Sequence, residues 1–259
     1  MKKLLRVLII TVLSIVVLLA GFAAADAYAF ASGTEYHNLS QSETLSGYVA
    51  QPEQAIGVGV LLLHEWWGLT EDIVRKADLL ASQGYVVVAP DLYRGRLART
   101  VPGALMLRLA TPDEATFAVA DAAYEFLNDR VDHGTGVVGF CFGGTQAMAL
   151  GRRTPGVAAT VIFYGSGLIT SPDQVDSLGE SGPVLGIFGA EDASIPLEEV
   201  EQFEAALAAR DVRHQVSVYD GVGHAFVEYS RLNDGGAAEE AWEEMVAFLE
   251  SVLVPEAVE

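Results

Sequence analysis

The chain has 259 residues, 51% of them hydrophobic, with 15 Lys and Arg against 35 Asp and Glu and a formal net charge of −20. So acidic a balance argues against nucleic acid and anionic lipid surfaces as partners, because both bind through basic patches. A single cysteine, Cys141, excludes an internal disulfide, so packing alone must hold the fold.

The chain opens on Met1-Lys2-Lys3-Leu4-Leu5-Arg6 and continues as an uncharged apolar run from Val7 to Ala25. A basic start before such a run has the form of a secretory leader. Ala23-Ala24-Ala25 and Ala27-Tyr28-Ala29 each offer a signal-peptidase site. The run is also about long enough to cross a bilayer as an uncleaved anchor. Cleavage is the expectation, because Gly21 and the small-residue motifs follow the apolar core. Either outcome leaves the basic end inside and the rest outside. The chain is then periplasmic or extracellular, or held on the outer face of the cytoplasmic membrane by residues 4–25. The expected organisation is a leader or anchor over 1–33 and one domain over 34–259. Without Lys2, Lys3 and Arg6, 12 cations face 35 acidic residues, a net of −23.

Beyond the leader there are no internal repeats and no low-complexity linker. Residues 35–39 and 44–49, separated by a polar Ser/Gln segment, predict a short antiparallel hairpin. A glycine-spaced apolar strand over 57–63 is followed by a helix over Glu71–Ser82, with Ile73, Ala77 and Leu80 on one face. Residues 85–89 form a second apolar strand stopped by Pro90, and 112–127 predict a helix with Pro at its first turn. Strands follow at Thr135–Phe140, 158–164, 184–188 and 215–219, with helices at 145–152, 196–210 and 239–252. This alternation predicts an α/β fold: a mostly parallel central sheet with helices on both faces, preceded by the hairpin. Sites in such sheets form at the carboxyl ends of strands.

Cys141 stands at one of those ends, in Gly139-Phe140-Cys141-Phe142-Gly143. A strand that turns at once into a helix strains its apex residue and brings the flanking chains close, which favours Gly two positions either side. The helix mouth is expected to favour thiolate over thiol at Cys141. The plain alternative is a small buried cysteine packed as a hydrophobe. Three other reactive side chains follow strands: Glu65 after 58–64, Asp192 after 184–188, and His224 after 215–219. The order nucleophile, acid, histidine is that of the α/β-hydrolase architecture. His224 would take the thiol proton and later give it to the leaving group. Asp192 would fix its tautomer and stabilise the imidazolium, with Glu191 as the rival carboxylate. His37, His64, His133 and His214 lack metal-ligand spacing and read as structural or surface residues. With no zinc or phosphate-loop motif, no metal or cofactor is expected.

His64-Glu65-Trp66-Trp67-Gly68, Ala89-Pro90-Asp91-Leu92-Tyr93, Gly139-Phe140-Cys141-Phe142-Gly143-Gly144, Phe163-Tyr164-Gly165 and Gly223-His224-Ala225-Phe226 together resemble the dienelactone hydrolase family in order and position. The resemblance spans roughly residues 35–252. It implies an α/β-hydrolase fold and a Cys141–His224–Asp192 triad that opens enol-lactones or related activated esters through a thioester. It also implies that Glu65 holds the thiol in the resting enzyme and helps generate thiolate once substrate binds. The oxyanion hole would be the backbone N–H groups of Phe142 and Trp66. Tyr93, Tyr164 and Phe226 join the candidate pocket, while Trp66 and Trp67 either wall it or belong to the core.

The chain departs from that pattern where family members bind a substrate carboxylate with arginines. Glu228 stands at the position shortly after the histidine, and Arg94 and Arg96 flank the other expected position, Gly95. The expected substrate is therefore a small neutral or hydrophobic ester or lactone, handled by a monomer. A membrane enters only through an uncleaved N-terminal segment. Other readings are a non-catalytic binding protein that retains the fold and a single-thiol redox sensor without a resolving cysteine.

Overall fold

Eight strands form one sheet in the computed structural model, which describes residues 2–32, 34–40, 45–175, 177–178 and 180–255. They are β1 (Leu39–Ser40), β2 (Ser46–Ala50), β3 (Gly59–Leu63), β4 (Val86–Pro90), β5 (Thr135–Phe140), β6 (Ala159–Phe163), β7 (Val184–Gly189) and β8 (His214–Tyr219). Their spatial order is β1-β2-β4-β3-β5-β6-β7-β8. β1 pairs antiparallel with β2, and β2 with β4; every later pairing is parallel. The expected hairpin is present as the β1–β2 pair, with Leu39 opposite Gly47; of the expected first strand, 35–39, only Leu39 is strand, residues 35–38 forming the turn and link before it. Its connection, residues 41–44 with Thr44 of the expected second strand, lies outside the described residues.

Seven α-helices accompany the strands among the described residues: α1 (Lys2–Ser32), α2 (Glu71–Ser82), α3 (Val101–Ala110), α4 (Asp113–Asn128), α5 (Phe142–Arg153), α6 (Leu197–Ala208) and α7 (Ala237–Leu253). β3 through β7 are buried along their whole length, because helices cover both faces. Val60 and Leu62 of β3 share one face with Gly136 and Val138 of β5, and there α2 and α7 pack. Leu61, Leu63 and Val137 look the other way, against α4 and α5. Each such side chain removed from water stabilises the fold by about 1.5–3 kcal/mol.

α3 has no counterpart among the expected elements. Pro102 and Gly103 disguise it, since both are poor helix formers. Here Pro sits in the first turn, where no N–H bond is lost, and the Thr100 side chain accepts a hydrogen bond from the Gly103 N–H at 3.2 Å.

Within α1, Arg6–Asp26 is 21 residues long with a mean hydropathy of 2.9, long and apolar enough to cross a membrane.

The chain runs from β3 outward to β4 and then returns to β5 on the opposite side of β3. This reversal opens a crevice at the carboxyl ends of β3 and β5. The pairing of Leu63 with Gly139 puts Glu65 and Cys141, each two residues beyond, at the same edge.

Candidate active site

Cys141 joins β5 to α5 with φ +53° and ψ −114°, a conformation that costs a non-glycine residue about 1–3 kcal/mol. Two hydrogen bonds hold it there: its N–H donates to the Phe163 carbonyl at 2.9 Å, and its carbonyl accepts from the Thr145 N–H at 3.2 Å. The flanking glycines have a steric cause. A β-carbon on Gly139 would collide with the backbone of Gly143, and one on Gly143 with the Leu63 carbonyl. Tyr164, just past β6, and Ala225, beside His224, also have positive φ, at +38° and +56°. Backbone strain thus gathers at the carboxyl edge of the sheet.

The loops after β7 and β8 meet at that edge. Ala190 N–H donates to the Tyr219 carbonyl and Glu191 N–H to the Val222 carbonyl, both at 2.9 Å. This stitching turns Asp192 inward, where it is buried, and leaves Glu191 exposed. His224 Nδ1 lies 2.6 Å from Asp192 Oδ2, and His224 Nε2 lies 3.0 Å from Cys141 Sγ. Ser194, absent from the expected site, donates to Asp192 Oδ1 through its hydroxyl at 2.5 Å and its N–H at 2.8 Å. Burial pushes the Asp192 carboxyl up, but the hydrogen bonds from Ser194 and His224 outweigh it and hold the group below the usual carboxylate range. Asp192 is thus ionised where it meets the imidazole, and its only free bonding capacity there is to accept Nδ1–H.

The thiol departs from what the helix mouth alone predicts. Burial, followed by the negative charge of Glu65, pushes Cys141 up to about 12. The N–H groups of Phe142 and Trp66 act in the opposite direction without prevailing. The resting group is therefore a thiol, because desolvation outweighs the helix mouth that was expected to favour thiolate. The same two N–H groups converge on the sulfur, where an oxyanion formed beside it would find two donors. Glu65 is raised by its own burial, and Lys76 partly counters this. Lys76, fully buried, pairs with Asp72 at 2.5 Å and lies 4.4 Å from the centre of the Phe140 ring.

His64 explains the string around Glu65. Its Nε2 accepts the Leu92 N–H at 3.1 Å, so Nδ1 carries the proton and donates to the Glu65 carbonyl at 2.6 Å. Burial lowers its pKa, which keeps it neutral. Asp91 then organises the next turn by accepting the N–H groups of Tyr93 and Gly95. His64 and Asp91 thus tie the end of β3 to the end of β4.

The remaining candidate residues ring the site at different depths. Tyr93 is buried, stacked on Phe142 with centroids 5.6 Å apart. Tyr164 is buried beneath His224 at 5.3 Å, and Phe226 packs on Tyr164 at 5.7 Å. Trp66 and Trp67 are half-buried and meet edge to face at 5.3 Å. Arg96 donates to the Tyr93 carbonyl and the Thr111 hydroxyl, both at 3.0 Å, whereas Arg94 is exposed. Glu228 is exposed, and its charge reaches Glu65. A surface cavity of about 860 Å³, lined by residues 48–56 and by Asp78 and Gly84, opens at the opposite edge of the sheet, away from these groups.

The model of the dienelactone hydrolase family matches residues 45–253. The chain is 33% identical over 219 residues to Protein usf of Aquifex pyrophilus, covering 80% of this chain and 93% of that protein. It is 34% identical over 220 residues to the "Putative carboxymethylenebutenolidase" of Aquifex aeolicus, with the same shares covered. The crystal structure of the "Putative Dienelactone Hydrolase" from Klebsiella pneumoniae matches with a TM-score of 0.67 at 28% identity, covering 80% of this chain and 93% of that one.

Proposed function

The chain belongs to the dienelactone hydrolase family, and from that premise we propose that it hydrolyses neutral or hydrophobic carboxylic esters and lactones through a thioester on Cys141. The observation that carries this reading is the run of contacts from Asp192 to His224 at 2.6 Å and from His224 to Cys141 at 3.0 Å.

His224 Nε2 removes the Sγ proton as sulfur attacks the acyl carbon. The carbonyl oxygen takes the electron pair and is received by the N–H groups of Phe142 and Trp66. Collapse breaks the acyl–oxygen bond, and the proton passes from His224 to the leaving oxygen. Water, deprotonated by the same imidazole, then attacks the thioester; the acid leaves and sulfur recovers its proton. Asp192 keeps Nδ1–H in place and stabilises the imidazolium at each stage. Glu65 opposes ionisation of the resting thiol through its charge and supports thiolate formation once substrate enters. Its support is its burial at the elbow and its effect on the sulfur.

The substrate class rests on charge. Glu228, four residues past His224, and the acidic surface both disfavour a carboxylate-bearing ester. The chain acts outside the cytoplasmic membrane, a reading supported by Lys2, Lys3 and Arg6 ahead of the apolar run of α1.

The test is turnover of a p-nitrophenyl ester by the full chain, with and without iodoacetamide, and by Cys141→Ala. Cys141→Ala should abolish turnover, as should iodoacetamide once the thiol has been alkylated at alkaline pH, and turnover undiminished by both would refute the nucleophile.

A further inference from the structure

We propose that α1 is retained as a membrane anchor and that the exposed stripe of α3 lies on the outer surface of the lipid bilayer, holding the hydrolase domain in one orientation. Three independent observations converge on α3. The first is where the apolar span ends. Twenty residue steps from Arg6 to Asp26 cover about 30 Å, the thickness of a hydrocarbon core. Asp26, the single acidic residue before Glu35, is buried against the domain. Its Oδ1 accepts the Arg99 N–H at 3.0 Å, and its Oδ2 accepts the Thr100 hydroxyl at 2.7 Å. A β-carbon on Gly103 would collide with this carboxylate. The point where α1 would leave the bilayer is therefore fastened to the N-terminus of α3. Cleavage after Ala25 would leave Asp26 as a chain terminus, and cleavage after Ala29 would remove it.

The second observation is the surface of α3 itself. Ala104 and Leu107 face the core, whereas Val101, Leu105 and Leu109, spaced four apart, are 58%, 49% and 77% exposed, with Met106 beside them at 70%. A stripe of this kind on a soluble surface is costly, but it suits an interfacial helix lying in the membrane plane. The third is local charge. Residues 92–112 contain four arginines (Arg94, Arg96, Arg99 and Arg108) and no acidic residue, between Asp91 and Asp113; Arg108 pairs with Asp113 at 2.5 Å and Arg96 bonds inward to Thr111, which leaves Arg94 and Arg99 as the exposed cations. The acidic excess that argues against a lipid surface is thus weaker over the stretch that would meet one, and the exposed stems of Arg94 and Arg99 suit the headgroup level. The same helix carries Arg108 5.1 Å from the ring centre of Phe142, so the docked face adjoins the elbow.

The test uses the full chain. The mass of the chain extracted from membranes should include the N-terminal segment through Asp26. Leu105→Cys and Leu109→Cys, each in a Cys141→Ala background, are labelled with an environment-sensitive fluorophore and reconstituted in phosphatidylcholine vesicles with and without phosphatidylglycerol. Both labels should shift to the blue and be quenched by lipids spin-labelled near the headgroup, roughly threefold or more beyond a label at Ser251→Cys on α7. These sites are exposed and leave the fold intact, which a circular-dichroism melt checks. A mature chain that begins at or beyond Asp26 would overturn the proposal. So would labels at 105 and 109 that stay water-exposed in both lipids, or that are shielded only as protein concentration rises, the signature of a second copy of this chain. None of these outcomes bears on ester turnover, so the hydrolase reading stands or falls separately.

Discussion

Cys141 sits under two opposing influences, and the balance between them is measurable. Burial and the Glu65 charge hold the thiol up to about 12, while the Phe142 and Trp66 N–H groups pull it down. Alkylation by iodoacetamide without substrate should therefore keep accelerating with pH well above the ordinary thiol range. Glu65→Gln removes a negative charge beside the sulfur, so alkylation at pH 8 should quicken while ester turnover falls. A variant that loses turnover with no change in alkylation rate would leave Glu65 without its effect on the thiol. Glu65 also carries a stability signature. Its folded-state pKa is raised, so the folded chain retains a proton that the unfolded chain has released. Its contribution is fully present below the unfolded value and is lost as pH rises through the folded value. The melting temperature of Glu65→Gln should accordingly gain on the parent as pH rises above 4.5. Asp192 has the opposite sign: with a lowered pKa, its contribution is present above the unfolded value and lost as pH falls through the folded one. Asp192→Asn should lower kcat/KM by on the order of a thousandfold or more, because the imidazole loses its tautomer and its countercharge.

Among the elements, β5, its elbow and α5 form the least tolerant part of the chain. Gly139 and Gly143 stand where backbone meets backbone, so no side-chain rearrangement relieves a β-carbon there. Gly139→Ala should destabilise the fold by about 3 kcal/mol or more, read as a shifted urea midpoint. α3 is the contrasting case, a short helix whose N-terminus is held by Thr100 and Asp26. Asp26→Ala removes two hydrogen bonds at its N-terminus, a loss of about 1–2 kcal/mol. Amide exchange in α3 should then quicken by roughly tenfold, while exchange in β5 is unchanged. Much at this scale was legible from pattern. The alternation of apolar strands and amphipathic helices predicts every parallel strand to within a few residues. α3 was not, because Pro102 and Gly103 read as helix breakers unless their places in the first turn are known.

For the whole molecule, charge and topology set what can approach the site. A net charge of −20 repels anions over about a Debye length, and Glu228 adds a carboxylate near Glu65. For a matched pair of esters, kcat/KM should favour the neutral one, and added salt should narrow the gap. A clear preference for the anion at low salt would remove the case for a neutral substrate. The topology supplies the common edge: because β3 and β5 are neighbours on either side of a chain reversal, Glu65 and Cys141 meet although 76 positions separate them.

Composition and local pattern were enough for the α/β class, the elbow at Cys141 and the carboxyl-edge placement of Glu65, Asp192 and His224. Each of these depends on residues near one another along the chain. Three matters needed the folded molecule. Asp192 and Glu191 are equivalent as letters, and only the stitching of two loops turns one inward. Ser194 and Lys76 enter the site through bonds and charges that no motif announces. The protonation of Cys141 runs against the helix-mouth expectation, because desolvation depends on everything packed around the sulfur, whereas the helix mouth that favours thiolate is visible in its immediate neighbours.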